Sequence, residues 1–256
     1  MNIIVCIKQV PDTEASLIVK DGVGINEANI KWIISPYDEY AIEEALKLKK
    51  NLGAATLTAL TLGPARCESA LRTALALGAD AAFHIENDQP LDHLATARCL
   101  AAGIKDIGYP AVVVMGKQAI DDDAFQVHIY VAELLGIPVS TNLTNLTVNA
   151  GEITCDREID EGAKEQLALS TPCVLGVGKG AYTPKLPNLM GVMKAKKVVI
   201  PKKSPAELGV SDLSLAVTAV RLAAPPEKPQ GRIIPGEPEA SVKELVRLLK
   251  EEAKVI

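Results

Sequence analysis

The chain has 256 residues, 48% of them hydrophobic and 23% charged, with a formal net charge of −5 at pH 7. No apolar run approaches the roughly 18 to 20 residues of a membrane span, so the composition is that of a soluble globular protein. The acidic balance and an aromatic content of 3% argue against nucleic acid as a partner.

In chain order, MNIIVCIKQV enters a strand pattern at once, with Ile3 to Ile7 as the first strand and no basic leader before an apolar, cleavable segment. Ser35 and Pro36 are an N-cap and a proline at the first helical position. Ala41, Ala45, Leu48 and Leu52 then recur at helical spacing, which predicts a helix over Pro36–Asn51. Ala55 to Leu62 reads as a strand, followed by a helix over Cys67–Leu77 and another over Leu94–Asp106 with Asp92 as N-cap. Ala111 to Met115 is a further strand. A fourth helix is expected to open at the acidic triplet Asp121–Asp123, to carry Val127, Val131, Leu134 and Leu135 on one face, and to stop at Gly136 and Pro138.

From Val139 to Leu169 polar and apolar residues alternate, which predicts antiparallel strands joined by a turn at Asn149–Gly151. Cys173 to Val177 completes the strand set. After Val199 the chain is proline-rich, with PKKSP, APPEKP and IIPGEPEA, and it finishes in an amphipathic helix over Ala240–Lys254 built on Val242, Leu245, Leu248 and Leu249. The alternation of strands and helices predicts a doubly wound α/β fold with a mainly parallel sheet and an antiparallel extension. The organisation expected is an α/β domain over residues 1–200 and an extended C-terminal arm over 201–256, whose apolar helix face calls for a partner surface.

Cys6, Cys67, Cys99, Cys155 and Cys173 are scattered without a CxxC pair, so neither a metal site nor a disulfide framework is expected, and free thiols suit a reducing, cytoplasmic setting. No Ser/His/Asp or Cys/His constellation emerges, and no independent catalysis is expected. The segment Gly116 to Gln126, GKQAIDDDAFQ, follows a strand at the position where open parallel sheets bind ligands. A helix N-terminus there offers unpaired amides to a phosphate, although three adjacent carboxylates oppose an anion unless some turn away. Read on spacing alone, Asp121–Asp123 serve equally well as first-turn acids that satisfy the helix dipole, Lys117 as a phosphate partner or a solvated lysine, and Cys6 as a buried structural thiol.

GKQAIDDDAFQ resembles the signature of the β subunit of heterodimeric electron-transfer flavoproteins. Other stretches extend the likeness along the chain: VCIKQVPDT, SPYDEYAIEEALKLK, GPARCESALRTALALGAD, DREID and LPNLMGVMKAKK. The resemblance implies a fold of the adenine nucleotide α-hydrolase kind. It also implies AMP bound by Cys6; by Ser35, Pro36, Tyr37 and Asp38; by Leu62 and Gly63; and by Ala119, Ile120, Asp121, Asp122, Asp123, Ala124, Phe125, Gln126, Val127, His128, Ile129 and Tyr130. FAD is then held mainly by an α subunit, with Val10, Pro11, Asp12 and Thr13 near that flavin and Glu158 and Asp160 near the subunit interface. Leu189, supported by Met190 and Met193, is implied to dock an acyl-CoA dehydrogenase or another flavin dehydrogenase, with an electron-transfer flavoprotein quinone oxidoreductase downstream. Lys194, Lys196 and Lys197 are solvated charges that also suit an acidic partner. Without the likeness, Leu189 and Met193 read equally well as the core face of an ordinary amphipathic helix.

Many relatives carry glycine where this chain has His128, which therefore either narrows the site or adds a donor. Relatives with a second FAD keep small residues at the positions of Asp122 and His128, so AMP is favoured here. The alternatives are a bifurcating β subunit with its own FAD and an NADH site, and a stand-alone adenine-nucleotide-binding module.

Overall fold

The computed structural model describes residues 1–149, 152–180, 182–226 and 230–256. In chain order the elements are β1 (Asn2–Cys6), β2 (Gln9–Pro11), β3 (Val19–Lys20), β4 (Gly24–Ile25), β5 (Trp32–Ile34), α1 (Pro36–Leu52), β6 (Thr56–Gly63), α2 (Glu68–Leu77), β7 (Ala81–Glu86), α3 (His93–Ile107), β8 (Val112–Gly116), α4 (Val127–Leu135), β9 (Val139–Asn149), β10 (Glu152–Glu158), β11 (Lys164–Ser170), β12 (Cys173–Val177), α5 (Leu189–Ala195), β13 (Lys202–Lys203) and α6 (Pro238–Glu251).

One nine-stranded sheet runs β11-β10-β9-β12-β8-β1-β6-β7-β13. Its strands from β9 to β13 in that order are parallel, and it is extended beyond β9 by β10, antiparallel to β9, and then by β11, antiparallel to β10. Alternation along β1 explains the two covering layers. Ile3 and Val5 face a core shared with Ala41, Ala45 and Leu48 of α1 and Leu71 and Ala74 of α2. Ile4 and Cys6 face the opposite core, shared with Ala97, Leu100 and Ile104 of α3 and Val131 and Ala132 of α4. Strands buried on both faces read as continuous apolar runs, which is why β1, β8 and β12 were visible in the sequence. All five cysteines are buried.

Several boundaries differ from the sequence reading. α4 begins at Val127, not at the acidic triplet, because Asp123 and Phe125 adopt φ of 49° and 58°, left-handed values that interrupt any helix before them. Ser35 precedes α1 without making a side-chain cap. Its hydroxyl is buried without a partner, and its carbonyl accepts the Asp38 N–H at 2.8 Å instead. Asp92 does cap α3, accepting from the Ala95 N–H at 2.8 Å. Of the turn predicted at Asn149–Gly151, residues 150 and 151 lie outside the described residues.

β7 was not expected. Its sequence AAFHIE opens on two alanines and carries a histidine, a weak strand signal, yet His84 is buried with Nε2 2.9 Å from the Gly63 carbonyl oxygen. Just beyond residue 201, β13 pairs with β7, and Leu208, Val210 and Leu213 pack on the α3 and α4 side of the core. Beyond them Asp92 acts a second time. Its Oδ2 accepts the Ala216 and Val217 N–H groups at 2.5 and 3.0 Å, fixing the arm across the start of α3. α6 starts at Pro238 and buries none of its residues in this chain, so Val242, Leu245 and Val246 face outward.

Candidate functional site

The winding reverses at β1: β6 follows it on one side and β8 lies on the other. Such a reversal leaves a crevice beyond the carboxyl ends of the strands. It is occupied by a cavity of about 840 Å³, within the range of roughly 300 to 1,000 Å³ common for small-molecule sites. Cys6, Leu62, Met115 and Gly116 at the strand ends form its floor. The loop after β8 and the segment Asn87–Leu91 after β7 form facing walls.

Asp38, in the first turn of α1, ties the crevice together. Its carboxylate accepts the Lys8 N–H at 2.7 Å and the Gly116 N–H at 3.0 Å, joining the chain leaving β1 to the last residue of β8. Burial pushes its carboxyl up to about 7 against those two amides and the Lys8 charge, which pull it down. Gly116 permits the approach: a Cβ there would strike the Asp38 carboxylate and lie 2.9 Å from Tyr37 Cβ. Burial, with Asp38 beside it, pushes the Cys6 thiol far up, so Cys6 is a neutral wall of the cavity.

The acidic triplet divides its charges among separate partners. Lys8 Nζ lies 2.8 Å from Asp121 and 3.3 Å from Asp122. His93 Nε2 lies 3.0 Å from Asp122, and Gln118 donates to Asp123 at 2.5 Å. Burial opposes the charge on Lys8, but Asp121 and Asp122 outweigh it and hold the ammonium above its usual range. Burial likewise works against Asp122, yet His93, Lys8 and the Ala124 N–H win and keep it below the usual carboxylate range. Only Asp122 of the three lines the cavity, so most of the negative charge is turned aside. Val127 and His128, the first residues of α4, line the same space, while the Ile129 and Tyr130 N–H groups behind them are taken by the Gln126 carbonyl at 3.0 and 3.1 Å.

His128 is fixed rather than free. It is 1% exposed, its Nε2 lies 2.9 Å from Thr141 Oγ1, and its ring stands edge-on to Phe125 at 5.4 Å. Burial lowers its pKa to about 4, so a neutral imidazole contributes shape and one hydrogen bond at neutral pH. Lys117 bonds Asn142 Oδ1 at 3.1 Å and lies 5.2 Å from the Tyr37 ring centroid, which makes it a tethered cation on the cavity wall.

Of the residues singled out in the sequence, Cys6, Asp38, Leu62, Gly63, Ala119, Asp122, Ala124, Phe125, Gln126, Val127 and His128 line the cavity. Ser35, Pro36, Tyr37, Ile120, Asp121, Asp123, Ile129 and Tyr130 stand behind or beside that lining. Ser35 is fully buried under α1, and Ile129 is exposed on the outer side of α4. Sequence reasoning missed Lys8, Arg66, His93 and the Asn87–Leu91 wall. The one available signal was Lys8, a lone cation at the end of the first strand with a carboxylate triplet to neutralise. Arg66 stacks on Trp32 at 3.4 Å and donates to Gln9 at 2.8 Å, linking the cavity rim to the β2–β5 ribbon.

That ribbon carries the VPDT turn. Val10 is fully buried, whereas Pro11 and Asp12 are half-buried and Thr13 is exposed, so any outward contact of this turn belongs to the last three. Asp160 falls in a short 3-10 turn beyond the end of β10 rather than on the strand that ends at Glu158. On α5, Leu189 is 77% exposed, Met190 69% and Met193 58%. The core reading of that face is thereby excluded. No helix among the described residues is long and apolar enough to cross a membrane.

The family model described as the electron transfer flavoprotein domain matches residues 22–208. The chain is 38% identical to the electron transfer flavoprotein subunit beta of Bacillus subtilis (strain 168), over 100% of both chains. It is 37% identical to the mitochondrial subunit beta of Oryza sativa subsp. japonica, again over 100% of both. Against the subunit beta of Homo sapiens it is 33% identical, covering 100% of this chain and 99% of the human one. A likeness that spans the signature loop, the switch-point crevice and the exposed α5 segment alike places the chain in the family of electron transfer flavoprotein β subunits.

Proposed function

We propose that the crevice holds AMP in a structural role, while the chain completes the FAD site of its α subunit and docks a flavin dehydrogenase through α5. The observation that carries the nucleotide reading is that the start of α4 lines one cavity with Asp122, already paired to Lys8 and His93, while Asp121 and Asp123 are turned aside to Lys8 and Gln118. An anion meets donors there rather than unpaired carboxylates. AMP is preferred to a second FAD because Asp122 and His128, where dinucleotide-binding relatives keep small residues, are both held by hydrogen bonds.

The docking reading rests on Leu189, Met190 and Met193, an exposed apolar face of flexible side chains suited to more than one partner. The outward faces of α6 and the arm supply the surface for the α subunit. Pro11, Asp12 and Thr13 are the residues of this chain placed nearest the partner's flavin, and Glu158 and Asp160 belong to the same interface. When bound, FAD supplies the electron-carrying chemistry, and this chain supplies binding, orientation and recognition. A quinone oxidoreductase receives the electrons, and the cytoplasm is the working compartment, in keeping with five buried free thiols.

Nucleotide extraction from the purified heterodimer tests the reading. One FAD and one AMP per heterodimer is the expected content; two FAD with reduction by NADH overturns it. Leu189→Ala is expected to raise the KM of an acyl-CoA dehydrogenase for the heterodimer about tenfold, the loss of roughly 1.4 kcal/mol of docking energy, with bound FAD and AMP unchanged. An unaltered KM removes α5 from the docking surface.

A further inference from the structure

Glu43 and Glu44 are adjacent carboxylates on α1, 3% and 1% exposed, and neither touches the nucleotide cavity. Buried acids persist only where something satisfies them. Their partners come from the segment that leads from β12 into α5. The Tyr182 hydroxyl donates to Glu44 Oε1 at 2.6 Å, and the Lys185 backbone N–H donates to Glu43 Oε1 at 2.9 Å. Lys185 Nζ lies 3.6 Å from Glu43 Oε2. Lys47, one turn further along α1, bonds Glu44 at 2.8 Å while its Nζ stands 3.7 Å over the Tyr182 ring. Tyr40, one turn earlier, places its ring 5.5 Å from that of Tyr182.

The far side of α5 is secured separately by α2. Arg72 donates to the carbonyls of Ala195 and Val198 at 2.6 Å each. Gly191 lies directly against the Ala76 carbonyl, where a Cβ would collide with it. Asn188 caps α5 by accepting the Gly191 N–H at 2.7 Å. Thus a helix of seven residues, too short to be stable alone, is fixed at its end by α2. Before it, Tyr182 and Lys185 hang on the two acids of α1.

We propose that Glu43 and Glu44 are positioning residues for partner docking: through Tyr182 and Lys185 they hold the approach to α5 so that Leu189 and Met190 are presented in one fixed orientation. Ordering a recognition segment before the encounter removes a cost that binding otherwise bears. The functional part of this inference rests on α5 being the docking helix.

Two readouts separate the clamp from that reading. Tyr182→Phe removes one hydroxyl and leaves the ring, and Glu44→Gln removes one charge at constant shape. In the FAD-loaded heterodimer each is expected to speed tryptic cleavage after Lys185 at least fivefold, with unchanged flavin content. Each is also expected to raise the KM of an acyl-CoA dehydrogenase for the heterodimer several-fold at unchanged kcat, a split that a general loss of folded protein does not produce. Cleavage at the wild-type rate in both variants overturns the clamp, whatever Leu189→Ala does. Faster cleavage with a wild-type KM, when Leu189→Ala does raise KM, overturns the positioning role. If Leu189→Ala itself leaves KM unchanged, the docking reading fails and the clamp stands or falls on cleavage alone.

Discussion

Asp38→Ala is expected to lower the stability of the protein by roughly 2 to 5 kcal/mol, because it orphans two amides at once, each costing about 1 to 3 kcal/mol. The Lys8 and Gly116 N–H groups point at its carboxylate from the ends of two neighbouring strands, and a methyl group offers neither an acceptor. One effect opposes the loss. Burial raises the Asp38 carboxyl to about 7, so the charge is itself uncomfortable, and removing it gives something back. Asp38→Asn decides which effect is larger. It abolishes the charge, retains one acceptor and turns an amide donor toward the second N–H. If discomfort of the charge dominates, Asp38→Asn is as stable as wild type or more so; if acceptor geometry dominates, it falls most of the way to alanine. The second outcome is expected, read by urea unfolding, and a wild-type midpoint for Asp38→Ala refutes the argument. Gly116→Ala reaches the same strand end from the other side by pushing the carboxylate away.

The second large effect concerns pH. His128 has a folded pKa of about 4 against an unfolded value of about 6.5. The unfolded chain therefore binds the extra proton first, and stability falls as pH drops from about 6.5 toward 4, by roughly 3 kcal/mol. Asp38 has the opposite sign. Its folded pKa is raised, so the folded chain binds that proton first and stability grows as pH falls from about 7 toward the ordinary carboxylate range. The two slopes oppose each other over the same interval, which makes the wild-type profile shallow there. His128→Gln is expected to leave the Asp38 slope alone, so that the variant gains stability relative to wild type on acidification. Parallel stability profiles for the two proteins between pH 7 and 4 are the contrary result.

How much of this was legible in the sequence depends on whether the signal was local. β1, β8 and β12 are continuous apolar runs because helices cover both faces of the sheet, and the position of GKQAIDDDAFQ at the end of β8 followed from that. The Asp92 cap was legible for the same reason, since its partner Ala95 is three residues away. The acidic triplet was misread because its decisive partner is distant. Lys8 lies more than a hundred residues earlier in the chain, and only the sheet order β8-β1-β6 brings it there. Local preference pointed to a helix start, whereas pairing to Lys8 and His93 favours a turn with left-handed residues.

The Asn87–Leu91 wall was invisible for a related reason: its residues carry no motif and matter only because β7 lies beside β6. In α5, Leu189 and Met193 have the spacing of a core stripe. Arg72 and Gly191 decide the matter by fixing the opposite side of that helix on α2.

The buried thiols have one more consequence. Reaction with an alkylating reagent needs both access and a thiolate, and burial denies both: Cys99 and Cys155 are pushed up to about 11 and Cys173 to about 12. Each sulfur therefore acts as a silent clock that starts only when its own layer opens. Cys6 on the cavity floor keeps time for the crevice, Cys155 for the antiparallel extension and Cys173 for the middle of the sheet. The order in which they become labelled is the order in which the molecule comes apart.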